Sequence, residues 1–297
     1  MYLAPIKKIK MNRFLKVLSS LVLGVLLFAC DKDDDNTTIT PPRPYGAQYE
    51  AEKDSIENYL KTHLIAGVDA DYNVNFLPTT DETISIWNDS RKRDTLVSLN
   101  GVNYKLYYLI LNQGVGEKPT KYDNVKVAYR GTLLDNTQFD IDPYPQGLFS
   151  LAGYIEGWRE IIPKFNAGIL VDSPGNPNPA QYENFGAGIM FLPSDFGYYE
   201  TSREGIPAYS PLIFSFKLLD VEYADHDGDT VVTRDETDGG TNPGKDTDND
   251  GNPDYLDIDD DGDGYTTLSE LQSGLDCDND PNNAPTIHMD PNCHPEQ

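Results

Sequence analysis

The sequence predicts an α+β fold with an antiparallel β-sheet in its central part, followed by an acidic segment of irregular structure. About 120 residues hold several short segments in which apolar and polar residues alternate, and only one stretch there suits a short helix. From Ala224 onward the composition changes to Asp, Gly, Asn and Thr. Residues 225–297 contain 21 Asp and Glu against 2 Lys and Arg, so the two parts need separate explanations.

The composition of the whole chain limits what the protein can do. Of its 297 residues, 38% are hydrophobic and 11% are aromatic, which is enough to build a buried core. The formal net charge is −26, from 23 Lys and Arg against 49 Asp and Glu. A charge of this sign and size argues against a nucleic-acid partner. The oligomeric state does not follow from the sequence.

Residues 1–29 are predicted to be an export signal. Basic residues precede a mostly apolar stretch at 17–28, which is too short to span a membrane comfortably. The stretch ends in the residues LFAC at 27–30, which resemble a bacterial lipobox. The resemblance implies cleavage before Cys30 and acylation of that cysteine, so that the lipid would anchor the protein in a membrane.

Residues 30–44 are predicted to form a tether. The residues DKDDD at 31–35 look like the Lys-acidic signal of Bacteroidetes surface lipoproteins, although a merely solvated tether would have the same composition. Prolines at 41, 42 and 44 favour an extended chain. We therefore expect an outer-membrane lipoprotein, on either the periplasmic face or the cell surface.

Several elements follow from the spacing of apolar residues. An N-terminal extension, residues 45–100, contains an amphipathic helix at 47–64 and leaves 67–100 without an assigned role. A short helix is expected at 157–165, limited in length by Pro163. Strands are expected at 104–111, 125–129, 188–192 and 213–221.

Three aromatic segments lie in order within residues 101–222. The first reads YDNVKVAYRGTL at 122–133, followed by FD at 139–140. The second contains FSL at 149–151 and YIEGW at 154–158. The third contains LPSDFGY at 192–198, GIP at 205–207 and LIF at 212–214. In this order and spacing the segments resemble the FKBP-type peptidyl-prolyl cis-trans isomerases.

The resemblance implies an antiparallel sheet wrapped on one short helix, with an aromatic pocket between them. Trp158 would form the floor of the pocket. The N–H of Ile155 would hydrogen-bond a substrate carbonyl, and the Tyr198 hydroxyl would donate to the carbonyl of the rotating imide. Asp140 would orient the polar edge, partly through Tyr129. The full implied set is Tyr129, Phe139, Asp140, Phe149, Tyr154, Ile155, Trp158, Tyr198, Ile206 and Phe214.

These residue types suit rotation about an X-Pro bond. The barrier is about 18–20 kcal/mol because amide resonance must be lost. No bond is made or broken, so no cofactor is expected for catalysis. A dry aromatic pocket favours the less polar, twisted imide, and a fixed donor can hold the carbonyl. We expect a prolyl isomerase that acts on X-Pro-containing polypeptides and assists the folding of exported proteins.

The segment also departs from the family pattern. Tyr199 stands where the family has glycine, and Tyr154 replaces the usual valine. No arginine follows Phe139-Asp140 within a few residues to pair with the aspartate. These departures favour an alternative, in which the fold is a non-catalytic binding or chaperone module on a calcium-stiffened cell-surface lipoprotein.

Residues 225–275 are predicted to hold calcium-binding repeats. Residues 259–270 match the EF-hand loop pattern D-x-D-x-D-G-x5-E without a gap. Residues 246–257 repeat it with a final Asp and with Pro253, which looks more like a thrombospondin type-3 repeat. A further copy spans 225–236, with Thr230 at the glycine position. The predicted ligands of structural Ca²⁺ are Asp225, Asp227, Asp229, Glu236, Asp246, Asp248, Asp250, Asn252, Asp254, Asp257, Asp259, Asp261, Asp263, Tyr265 and Glu270.

The C-terminal tail, residues 276–297, contains the last two cysteines. If Cys30 is lipidated, Cys277 and Cys293 form an even pair in an exported protein, which suggests a disulfide. A zinc site that combines them with His288 and His294 is the alternative, although the spacing matches no paired-cysteine motif.

Overall fold

The computed structural model describes residues 41–69, 71–171, 180–275 and 287–295. The predicted export signal, the lipidation site at Cys30 and the cysteine at 277 lie outside these residues. Within the described part of the chain, no helix combines the length and the apolarity that a membrane crossing requires.

A seven-stranded antiparallel sheet forms the centre of the protein, as the sequence predicts for the fold class. Its strand order is β3-β4-β10-β11-β5-β6, and β7 pairs with β5. The bounds are β3 Lys92–Leu99, β4 Val102–Asn112, β5 Asn124–Leu133, β6 Gln138–Asp142, β7 Phe149–Ser150, β10 Gly186–Leu192 and β11 Leu212–Glu222. Two short hairpins complete the strands: β1 His63–Val68 with β2 Val74–Pro78, and β8 Ile169–Leu170 with β9 Tyr182–Glu183.

The concave core lies between the sheet and a short helix, α2 (Glu156–Ile161), which continues as a 3₁₀ turn at Ile162–Lys164. Trp158 and Phe165 pack there against Phe214 and Phe216 of β11. Gly157 is required at this contact, because a Cβ at that position would lie 2.3 Å from a Leu192 methyl group. The glycine therefore lets α2 lie close against β10.

A second core covers the opposite face of the sheet. Helix α1 (Tyr45–Thr62) places Ile56, Tyr59 and Leu60 in one buried cluster with residues of β4, β10 and β11. In β10, Ile189 and Phe191 face this cluster, whereas Met190 and Leu192 face the other. Every residue of β10 is buried, as expected for a strand that is covered on both faces.

The N-terminal extension is therefore part of the folded domain. Strand β3 pairs along its whole length with β4, so the sheet begins before the predicted boundary at residue 101. We call residues 92–222 the FKBP-like domain, after the resemblance noted above. Helix α1 and the β1–β2 hairpin cover the face of its sheet that would otherwise be exposed and apolar.

The acidic tail follows β11 as a series of loops with little regular structure. Its described residues contain two short α-helices, α3 (Thr233–Glu236) and α4 (Thr267–Ser273). Near the C-terminus Cys293 is buried and disulfide-bonded. The predicted disulfide thus fits the state of Cys293, and its proposed partner lies outside the described residues.

Candidate active site and metal loops

A cavity of about 340 Å³ opens between β5, β6, α2 and the loop that joins β10 to β11. All of the predicted pocket residues line it except Phe149, which lies behind the wall and stacks on Tyr154 with 4.0 Å between ring centroids. The sequence did not single out Arg203 and Glu204. The lining residues are Tyr129, Phe139, Asp140, Tyr154, Ile155, Trp158, Tyr198, Arg203, Glu204, Ile206 and Phe214.

Aromatic rings form the floor and walls of this cavity. Trp158 is 1% exposed and meets Tyr129 and Phe214 edge-on, with centroid distances of 5.0 and 5.3 Å. Phe139 meets Phe214 in the same way at 5.5 Å. The Trp158 indole N–H has no acceptor among the described residues. The rings fix one another's positions, because edge-to-face contacts at these distances are favourable.

Gly131 in β5 allows two of the aromatic walls to approach the strand. A Cβ at that position would lie 2.4 Å from the Phe139 ring and 3.0 Å from the Phe214 ring. Any larger residue would push Phe139 away from the strand. The Tyr-Arg-Gly segment at 129–131 therefore shapes the cavity through its glycine as well as through Tyr129.

The polar edge of the cavity consists of a tyrosine and an aspartate. Tyr129 Oη donates to Asp140 Oδ2 at 2.6 Å, and the N–H of Ile141 donates to Asp140 Oδ1 at 2.8 Å. Burial, followed by the contact with Asp140, raises the pKa of the Tyr129 hydroxyl, which therefore stays protonated. Both oxygens of Asp140 are thus held although the arginine expected from the family pattern is absent.

Besides the Trp158 indole N–H, two hydrogen-bond donors at the cavity lack a partner among the described residues. Ile155 is the N-cap of α2, with φ −61° and ψ 145°, and its N–H has no acceptor among the described residues. The Tyr198 hydroxyl likewise makes no hydrogen bond within the described part of the chain, and its ring lies 5.4 Å from the Arg203 guanidinium carbon. Both residues line the cavity, so both donors are available to a bound carbonyl.

The loop that carries Tyr198 is held by the N-terminal segment. Tyr199 takes the left-handed conformation that glycine adopts readily, with φ 46°. Its ring stacks on Tyr45 at 4.8 Å, and its hydroxyl donates to the carbonyl of Arg43. Tyr199 therefore makes its contacts outside the cavity.

Helix α1 also reaches the start of this loop through Glu52. This side chain is 4% exposed and accepts from the N–H and the hydroxyl of Ser194 at 2.7 and 2.6 Å. Burial is the largest cause of a raised pKa for the Glu52 carboxyl. Sequence reasoning missed this contact because it joins residues 142 positions apart and belongs to no motif.

The three tail loops share one backbone arrangement. In each, the first aspartate accepts from the N–H five residues later, and that later residue has a positive φ. The pairs are Asp225 with Thr230 (3.1 Å, φ 86°), Asp246 with Gly251 (3.1 Å, φ 101°) and Asp259 with Gly264 (3.0 Å, φ 95°). Thr230 thus takes the conformation of the missing glycine.

Many carboxylate oxygens in these loops are buried without a hydrogen-bond donor. Glu236 and Glu270 are 3% and 0% exposed, and neither oxygen of either side chain has a partner among the described residues. Burial, followed by neighbouring aspartates, raises the pKa of Glu236 to about 9 and that of Glu270 to about 8. One unpartnered buried oxygen also belongs to each of Asp227, Asp229, Asp246, Asp259, Asp260, Asp261 and Asp263.

Carboxylates of the described tail residues form four groups of three, and in each group one oxygen from every member lies within 4.8 Å of the others. Hard cations such as Ca²⁺ take 6–8 oxygen ligands at about 2.3–2.6 Å, which requires such a spacing. The residues present therefore fit a calcium ion. The groups are Asp225, Asp227 and Asp229; Asp229, Glu236 and Asp260; Asp246, Asp248 and Asp250; and Asp259, Asp261 and Asp263.

Two predicted ligands of the middle loop make hydrogen bonds within the tail. Asp254 accepts from the N–H of Thr247 at 2.7 Å, from its hydroxyl at 2.8 Å and from Lys245 at 3.0 Å, so its carboxylate is already satisfied. Asn252 donates through its side chain to Leu256 and Asp257. Asp254 is thus a buried aspartate held by Thr247 and Lys245, and its role as a ligand stays a prediction.

The zinc alternative has no support in the described residues. Cys293 is disulfide-bonded, and His294 stacks on the Tyr265 ring at 5.1 Å. No metal-compatible group within residues 287–295 joins these side chains with His288.

Comparison with known proteins places relatives on both parts of the chain. A family model described as BamM C-terminal matches residues 220–284. The FKBP-type peptidyl-prolyl cis-trans isomerase FkpA of Aeromonas hydrophila is 34% identical over 128 residues, which cover 42% of this chain and 41% of that protein. Over these residues the chain shows homology to FKBP-type peptidyl-prolyl cis-trans isomerases. It spans about two-fifths of the length of the FkpA relatives that it matches.

Two further proteins match a larger share of the chain. The outer membrane protein MIP of Legionella longbeachae is 28% identical over 179 residues, which cover 59% of this chain and 67% of that protein. The crystal structure of FkpA from Escherichia coli aligns with a TM-score of 0.35 at 24% identity, covering 71% of this chain and 70% of that one.

Proposed function

We propose that the FKBP-like domain is a peptidyl-prolyl cis-trans isomerase that acts on X-Pro bonds of polypeptides. The observation that carries the proposal is one cavity with the Trp158 ring as its floor and, at its edge, two donors that lack a partner in the described part of the chain, Ile155 N–H and Tyr198 Oη. Homology to FKBP-type isomerases supports the same activity and does not favour the binding-only alternative.

The cavity suits rotation of an imide in several ways. A proline ring is a compact apolar group, and the aromatic walls would strip water from it. The planar X-Pro bond is more polar than the twisted one, so an apolar surrounding disfavours the ground state relative to the transition state. The Ile155 N–H and the Tyr198 hydroxyl would each donate a hydrogen bond to a substrate carbonyl while the imide rotates. The Tyr129–Asp140 pair would keep the polar edge in place.

A protease-coupled assay on an X-Pro tetrapeptide tests the proposal. The full chain should accelerate isomerisation, and Trp158→Leu should reduce kcat/KM by at least tenfold. Trp87→Leu is the matched control, since Trp87 packs against Tyr107 on the other face of the sheet. Circular dichroism would show that both variants fold. Binding of the peptide with no acceleration by the wild type would leave only a binding module.

We propose further that the protein is an outer-membrane lipoprotein whose clients are exported polypeptides. The export signal and lipobox at 1–30 support this location, and one relative is named an outer membrane protein. Labelling cells with a radioactive fatty acid should mark the wild type but not Cys30→Ser. Equal labelling of the two would contradict lipidation at Cys30.

The tail loops, we propose, bind structural Ca²⁺. The support is the set of buried carboxylate oxygens that lack a donor, above all those of Glu236 and Glu270. Extracellular sites of this kind bind at about 10⁻⁴–10⁻³ M. Isothermal titration of the full chain with CaCl₂ should therefore show binding in the submillimolar to millimolar range. No heat of binding up to 10 times that concentration would contradict the proposal.

A further inference from the structure

Asp260 occupies an unexpected position in the tail. It lies between the third-loop ligand positions Asp259 and Asp261, at a place where the loop pattern accepts any residue. Yet it is only 3% exposed, and its Oδ1 has no donor among the described residues. A surface position in a loop does not normally bury an unpaired carboxylate. This side chain therefore calls for a partner that the described residues do not supply.

Two carboxylates of the first loop lie close to Asp260. Oxygens of Asp260, Asp229 and Glu236 lie within 4.8 Å of one another, and all three side chains are 3% exposed or less. Lys245 is the cation that acts on Asp260, but its ammonium is 3.0 Å from Asp254. Three carboxylates so close together repel one another unless a cation lies between them.

We propose that Asp260 completes a Ca²⁺ site whose other ligands, Asp227, Asp229 and Glu236, come from the first loop. The inference rests on the proposed calcium binding of the tail and adds a ligand from a second loop. Two oxygens on opposite sides of one calcium ion lie about 4.6–5.2 Å apart, so oxygens within 4.8 Å of one another can bind the same ion. The ion would tie residues 225–236 to residues 254–270.

This calcium site would also position the tail against the FKBP-like domain. Ala224 N–H donates to the buried Asp123, which directly precedes β5, at 3.1 Å. The Tyr122 ring meets Tyr255 at 5.5 Å and His226 at 6.5 Å, so the domain contacts residues from both parts of the tail that the ion would join. Cation binding would therefore hold Tyr255 and His226 together against Tyr122.

Calorimetric titration of the full chain with CaCl₂ tests the ligand assignment. Asp260→Asn removes only the charge and Asp260→Ala removes the oxygen, and both should lower the affinity of one site at least tenfold. Asp235→Asn is the control, because its exposed carboxylate belongs to none of the groups. Calcium binding that is unchanged in both Asp260 variants would overturn the inference and leave the other loops intact. Absence of binding in the wild type would refute calcium binding by the tail altogether.

Thermal melting separates a ligand from a merely structural aspartate. In chelator, Asp260→Asn should melt at a higher temperature than the wild type, because it relieves repulsion with Asp229 and Glu236. Addition of calcium should raise the melting temperature of Asp260→Asn by less than it raises that of the wild type. A structural role for Asp260 predicts a lower melting temperature under both conditions. If neither Asp260 variant folds, Glu236→Gln should show the same pair of opposite shifts, and a loss of stability in both conditions would overturn the inference.

Discussion

Replacing Tyr198 by phenylalanine should slow isomerisation without destabilising the fold. The Tyr198 hydroxyl lines the cavity and makes no hydrogen bond within the described residues, so its removal breaks no protein contact. The free energy of unfolding should therefore change by less than about 0.5 kcal/mol. A neutral hydrogen bond contributes about 0.5–1.5 kcal/mol, so its loss from the transition state should lower kcat/KM about two- to tenfold.

The protease-coupled assay and urea denaturation together measure both quantities. Tyr144→Phe is the control, since Tyr144 is 70% exposed and lies outside the cavity. Tyr199→Phe provides a contrast, because the neighbouring hydroxyl does donate to Arg43 and its removal should cost about 1 kcal/mol of stability. If Tyr198→Phe keeps the full kcat/KM, or unfolds as readily as Tyr199→Phe, the assignment of a free donor at the cavity is refuted.

Three further outcomes are expected. Gly131→Ala should lower stability by about 1–3 kcal/mol and slow isomerisation, because its Cβ would displace Phe139; unchanged urea midpoints would contradict this. The stability contributed by Glu52, whose folded pKa is raised from 4.5, should be fully present below pH 4.5 and lost as the pH rises through the folded value. The stability of the wild type relative to Glu52→Gln should therefore fall with rising pH, and parallel pH profiles would count against it. Calcium at 100 times Kd should stabilise the chain by about 2.7 kcal/mol per site, and Asp261→Ala with Asp263→Ala should remove the contribution of one site; identical melting in calcium and chelator would argue against the loops.

The sequence predicts the elements of the central fold well where their apolar residues form a clear pattern. Helix α1 and strands β4, β5, β10 and β11 lie within a few residues of their predicted positions, because each contains a regular apolar pattern or a continuous apolar run. Strand β3 was missed. It is an edge strand with mostly polar or partly exposed residues, and Leu96 is 73% exposed, so its pattern carries little apolar signal.

In the candidate site, too, the sequence predicts the residues that lie on recognisable motifs and misses those that do not. Residues on short motifs, such as Trp158 and Tyr198, are brought together where the resemblance implies. Arg203 and Glu204 line the same cavity but belong to a turn that carries no motif. The contact between Glu52 and Ser194 depends on how α1 docks on the sheet, and no local pattern encodes that docking.

The tail shows both the strength and the limit of pattern matching. The spacing of aspartates identifies three loops, and Thr230 proves to have the conformation of the missing glycine. The pattern assigns Asp254 as a ligand, whereas the fold satisfies it with Thr247 and Lys245. The loop pattern does not include Asp260, because a pattern within one loop cannot show an oxygen that another loop supplies.

Exchange NMR on a short X-Pro peptide, with the full chain at a small fraction of the peptide concentration, tests the central claim most directly. It measures cis-trans interconversion at equilibrium, without a coupling protease. With the wild type, cross-peaks between the cis and trans forms should appear on a timescale of seconds. With Trp158→Leu they should be absent. The opposite outcome is a wild type that only broadens the peptide signals through binding, with interconversion still taking the uncatalysed time of about tens to hundreds of seconds. That result would show that the cavity binds proline without catalysing its isomerisation and would contradict the account.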